Sequence, residues 1–88
     1  MQPEEPNDAH VLALNALAAT LADQRLAERF VSLSGFTAPD LKHRAGDPAF
    51  LAEFVRFLEA HEPDLIAIAG RIKVEPNRLV AARETLEG

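Results

Sequence analysis

Apolar residues return along this chain at spacings of three and four and almost nowhere at spacing two, which is the signature of helices rather than strands. Val11, Leu14, Ala18 and Leu21 follow one another at intervals of 3, 4 and 3, predicting an apolar stripe on a first helix that Asn7 or Asp8 caps and that runs to about Ala22. From Leu21 to Leu26 the interval is five, which throws the stripe out of phase. Asp23 is a suitable N-cap there, so the pattern predicts a break. With no glycine or proline to enforce it, a single bent helix is the alternative.

A second helix is expected from Gln24 to Ser34, burying Leu26, Phe30 and Leu33. Gly35 supplies the left-handed residue that closes it, with Phe36 folding back on Val31. Thr37, reaching the amide of Asp40, starts a short third helix that ends at Gly46. Asp47–Pro48 is a start signal for a fourth, through about His61. That helix carries Phe50, Leu51, Phe54, Val55, Phe57 and Leu58, too wide an apolar face for one neighbour, so it is placed at the centre. Glu62–Pro63 restarts the chain. Leu65, Ile68, Ala69 and Ile72 line a fifth helix, Val74–Glu75–Pro76 makes a turn, and Leu79, Ala82 and Leu86 line a sixth. The fold class is all-α: a compact bundle of five or six short helices closing on a C-terminal helical hairpin. The organisation is a flexible acidic leader over residues 1–7 and one domain over 8–87.

Length and composition narrow the chemistry. Eighty-eight residues hold one domain. No cysteine is present, which excludes disulfides, thiolate metal sites and a cysteine nucleophile. The longest apolar run, Leu65 to Ala69, is far short of the roughly 18 residues of a membrane span. The start of the chain is acidic and proline-rich, unlike a secretory signal, so the expected setting is cytoplasmic.

Charge alternates in blocks. Glu4, Glu5, Asp8 and Asp23 stand without a base in residues 1–24; Arg25, Arg29, Lys42 and Arg44 outnumber Glu28 and Asp40 in the next segment. Asp47, Glu53, Glu59, Glu62 and Asp64 then face only Arg56, and the tail is slightly basic. Such blocks can pair internally once folded. The net charge of −5 repels phosphate backbones, so nucleic acid is a disfavoured partner.

The run Arg44–Ala45–Gly46–Asp47–Pro48–Ala49–Phe50–Leu51, followed by an acidic helix and then Ala69 to Arg83, resembles a small bacterial family catalogued as domain of unknown function 3572. The similarity covers about residues 8–86, and Ala45–Gly46–Asp47–Pro48 is its most specific element. The family tends to carry glycine at the position of Lys73, where this chain departs from it. The resemblance implies a helical fold and a compartment, and it transfers no functional residue.

Four constellations bear on function. The hairpin from Ala69 to Arg83 has helix-turn-helix spacing, in which Lys73, Asn77, Arg78 and Arg83 are the candidate DNA contacts, with Arg71 on phosphate. Any two helices joined by a short turn produce the same spacing. Asp40, His43 and Asp47 fall at metal-ligand intervals, but Gly46 interrupts them and both acids are needed as caps; no metal or other cofactor is expected. Ser32 lies in no nucleophile elbow, and Val31–Ser32–Leu33 lacks the Asp-Ser-Leu of carrier proteins, so no enzymatic activity is expected. Association is the leading expectation. Leu12, Val31, Val55, Phe57, Ile66 and Val80 fall off the main stripes; of these Val55, Phe57, Ile66 and Val80 form the candidate surface for a protein partner or a homodimer.

Overall fold

A computed structural model describes residues 6–88 as six helices joined by short turns: α1 (Pro6–Ala22), α2 (Gln24–Ser34), α3 (Ala38–Arg44), α4 (Pro48–Glu59), α5 (Glu62–Arg71) and α6 (Pro76–Glu87). No strand occurs among the described residues. Of the acidic leader expected over residues 1–7, residues 1–5 lie outside the described residues. Helix α1 already begins at Pro6, so Asn7 and Asp8 sit in its first turn rather than capping it.

The break between α1 and α2 is real, and Asp23 makes it. Its backbone is extended, and its Oδ1 accepts the Leu26 N–H at 3.1 Å, satisfying one of the free amides of the new helix. Thr20, buried one turn earlier, donates its hydroxyl to the Ala16 carbonyl at 2.8 Å, so its burial leaves no unmade hydrogen bond. At the other end of α2, Gly35 takes φ 77° and donates to the Val31 carbonyl at 2.9 Å. The Phe36 N–H bonds to Ser34 Oγ, and the Phe36 ring packs edge-on to Phe50 at 5.3 Å. Thr37 and Asp40 form a reciprocal capping box, and Asp47 caps α4 through the Ala49 N–H at 3.0 Å.

Helices α1, α4 and α6 pack closest together, and α5 lies against all three. Helix α4 is the centre: Phe50, Leu51, Phe54, Val55 and Leu58 are all buried. Phe30 from α2 closes over it, its ring 5.4 Å from Phe54 and 4.9 Å from Phe57. The helix ends at Glu59, two residues earlier than the sequence suggests, because His61 has already turned to extended backbone as the entry to α5. Helix α3 approaches no other helix closely along its length; its hold on the core is the buried Leu41.

Two expectations about faces are overturned. On α1 the residues against the core are Ala9, Leu12, Ala13, Ala16 and Leu17. Of the stripe Val11–Leu14–Ala18–Leu21, only Leu14 still touches the core, half-buried; Val11 is 54% and Leu21 40% exposed, and Ala18 is exposed too. The helix carries apolar residues on both faces, and the core takes the one rich in alanine because small side chains let α4 and α6 approach closely. Leu33 is likewise 68% exposed: beyond Phe30 the α2 face opens onto a shallow depression instead of a neighbouring helix.

Candidate functional site

The outward stripe of α1 does not face open solvent alone. Leu14, Leu17, Ala18 and Leu21 form one wall of a groove of about 640 Å³ whose other walls are Ala27, Val31 and Ser32 of α2 and Leu41 and Ala45 beside α3. The sequence produces this shape in three steps. The Asp23 cap turns α2 back along α1. The left-handed Gly35 then redirects the chain, and the Thr37 capping box starts α3, which sends the buried Leu41 into the core. Alanine at 18, 27 and 45 leaves the space between them unfilled.

The lining is almost wholly apolar. Its polar members are Ser32, Glu28 and Lys42. Glu28 accepts from Gln24 Nε2 at 3.2 Å, and Lys42 makes no ion pair among the described residues. One carboxylate and one ammonium, from different helices, leave the lining neutral in sum. A second, smaller depression of about 290 Å³ lies on the far side of α2, between Phe30, Leu33, Phe36, Phe50 and Phe57, with Glu53 and Arg56 at its rim.

The residues singled out in the sequence are not gathered in either place. Val55 is completely buried in the core and cannot belong to a surface: α4 is covered on the side that the sequence leaves undecided. Leu12 is buried for the same reason on α1. Phe57 is half-buried against Phe30 with the Arg29 guanidinium 5.9 Å from its ring centre, and it lines only the smaller depression. Ile66 is half-exposed on α5 and Val80 half-buried on α6, neither in the large groove. Of the off-stripe residues, Val31 alone lines the large groove; the rest of it was missed because the α1 stripe that forms it reads as a core stripe.

In the C-terminal hairpin the cations are largely spoken for. Arg83 donates from Nε and Nη2 to both oxygens of Glu59, at 2.6 and 3.0 Å, and from Nη1 to Glu87 at 2.8 Å. These two carboxylates hold its guanidinium firmly protonated, Glu59 first. Glu87 also pairs with Arg56, whose hydrogen bond depresses the Glu87 carboxyl below its ordinary value. Arg71 donates to Asp23 at 2.7 Å. Asn77 and Arg78 are exposed in the first turn of α6. Lys73 occupies the turn with φ 61°, the conformation a glycine adopts without strain. The Val74 N–H bonds to the Ala69 carbonyl and the Lys73 N–H to the Gly70 carbonyl, the pair of bonds that closes a helix through a left-handed residue.

Asp40 and Asp47, two of the three residues at metal-ligand spacing, are occupied as caps, and the Asp40 carboxyl is held below its usual range by the Thr37 amide and hydroxyl. Among the described residues no three His, Asp or Glu side chains converge in a way that could hold a metal ion. None of the helices described is long and apolar enough to cross a membrane.

Five short helices around α4, with a neutral apolar groove on one flank, define a small all-α protein. The chain belongs to the family described as protein of unknown function (DUF3572), which matches residues 6–88. No curated protein and no solved structure matches it.

Proposed function

We propose that this protein is a non-enzymatic interaction module of the bacterial cytoplasm, and that its working surface is the groove between α1, α2 and α3. The observation that carries the reading is the groove itself: about 640 Å³ of apolar space, walled by leucines and alanines, on a domain small enough to need every apolar residue it can bury. A pocket built for a polar small molecule places several hydrogen-bonding groups so that they converge on it. Here the polar members are few and come from different helices, which suits the apolar face of a helix from a protein partner.

Photo-crosslinking in the native cell tests this. A benzophenone amino acid at Leu21, which lines the groove, is expected to yield a covalent adduct heavier than the chain, while the same probe at the exposed Glu84 of α6 yields none. Absence of any adduct from Leu21 overturns the reading.

A further inference from the structure

Helix α1 is unusual for a helix on a protein surface. From Ala9 to Ala22 it contains no Asp, Glu, Lys or Arg, in a chain whose net charge is −5. The inward face is Ala9, Leu12, Ala13, Ala16 and Leu17; outward lie Val11, Asn15, Ala18 and Leu21, with the half-buried Leu14 at the edge between the two. An apolar stripe on a helix is normally covered, yet Val11, Ala18 and Leu21 stay exposed here, with Asp8 and Asn15 the exposed polar side chains beside them.

The spacing of the outward residues says what kind of object fits. Intervals of 3, 4 and 3 are those of a heptad seam, with Val11 and Ala18 at one position and Leu14 and Leu21 at the other, the arrangement that packs a helix against a helix. The charge distribution says which helix. A partner segment of marked charge would find no counter-charge here, since the groove holds one acid, Glu28, and one base, Lys42. Beyond Asp8 at its start the α1 face carries no charge, so two copies of an acidic chain can meet along it without strong repulsion. An interface about a twofold axis requires a surface complementary to itself. An uncharged seam beside a neutral groove meets that requirement.

We infer that the occupant of the groove is a second copy of this chain, the two α1 helices lying side by side along Val11, Leu14, Ala18 and Leu21. This rests on the interaction reading above and adds the partner's identity. Each copy lends the other the cover that its own α2 and α3 do not provide. The dimer has one interface, made by α1 and the groove walls; α4 and the C-terminal hairpin take no part.

Light scattering after size exclusion, from about 1 µM to about 1 mM, spans the affinities of modest interfaces. The native protein is expected to reach twice its 9.6 kDa mass at the upper end, and Ala18→Glu, an exposed position, to stay monomeric throughout with an unchanged circular dichroism spectrum. A native monomer at every concentration, or a dimer indifferent to Ala18→Glu, overturns the inference. Because the chain has no cysteine, Ala18→Cys gives an independent readout should the charged variant fail to fold. A short bis-maleimide is expected to link two Ala18→Cys chains and not two Glu84→Cys chains; no link through position 18 also overturns it. A monomeric protein that still crosslinks from Leu21 to a chain of different mass sinks the dimer and leaves the interaction reading standing. Loss of every adduct sinks both.

Discussion

Arg29 on α2 reaches across 35 residues to Asp64 on α5, Nη1 donating to Oδ2 at 2.7 Å. The two ends of this bond are unequal: the Asp64 side chain is 5% exposed and the Arg29 side chain 38%. Helix α2 otherwise touches the bundle through Leu26, Phe30 and the half-buried Val31, so this pair, together with the Arg29 guanidinium beside Phe57, helps fix its rotation and with it the width of the groove.

That inequality predicts unequal mutants. Arg29→Ala strands a buried carboxylate and is expected to cost about 2 kcal/mol, the penalty of an orphaned polar group. Asp64→Ala leaves a cation that can turn to water and is expected to cost less than half as much. Urea unfolding midpoints of the two variants compare them directly; equal losses would contradict the account.

Lys73 holds a left-handed backbone that costs a residue with a side chain about 1–2 kcal/mol. Lys73→Gly is therefore expected to stabilise the protein by about 1 kcal/mol, part of the relief being offset by the entropy glycine gains when unfolded, and to raise Tm by about 4–8 °C. A thermal melt that falls on this substitution would show that the Lys73 side chain contributes more than its backbone strain removes.

Asp23, Asp40 and Glu87 all titrate below their ordinary values of 3.8, 3.8 and 4.5. The causes lead with the Leu26 amide for Asp23, the Thr37 amide for Asp40 and Arg56 for Glu87. Each therefore gives up its proton more readily folded than unfolded, so the unfolded chain binds more protons in acid. Their contribution is complete above about pH 5 and is lost as the pH falls through 4.5 and 3.8 toward the folded values. Denaturant titrations at pH 7, 5 and 3 should show a plateau between the first two and a drop to the third, and Asp23→Asn should shrink the drop.

Among the described residues of α3, Leu41 is the one buried in the core. Leu41→Ala is expected to free residues 38–44 while the rest of the bundle survives, because the lost contacts belong to one peripheral helix. Hydrogen exchange should speed up by tenfold or more across α3 and remain unchanged in α4 and α6. Uniform acceleration along the whole chain would mean that α3 is part of the cooperative unit.

Leu33 and Val55 exchange the roles that their positions in the sequence suggest. Leu33→Ser is expected to change stability by no more than about 0.5 kcal/mol. Val55→Ser, which puts a hydroxyl and a void into the centre of α4, should cost about 2–3 kcal/mol. Chemical denaturation of the pair tests which of the two residues is core.

The sequence by itself determined an all-helical chain of five or six helices, leaving the α1–α2 break open, and most of their ends, because caps, prolines and the left-handed Gly35 act over three or four residues and leave local marks: Asp23, Thr37 with Asp40, and Asp47–Pro48 all do the work that their types and positions predict. It also determined that Phe50 to Leu58 would be central, since no other segment is apolar over so wide an arc. Only the tertiary structure decided which side of α1 faces inward, that Val55 is sealed and Leu33 bare, that Arg83 is bound to Glu59 and Glu87, and that a groove lies between α1, α2 and α3. The reason is that periodicity reports how many apolar faces a helix has but not which neighbour will reach them. On α1 that was settled by the closeness of approach that Ala9, Ala13 and Ala16 allow, a property of helices brought together from distant parts of the chain.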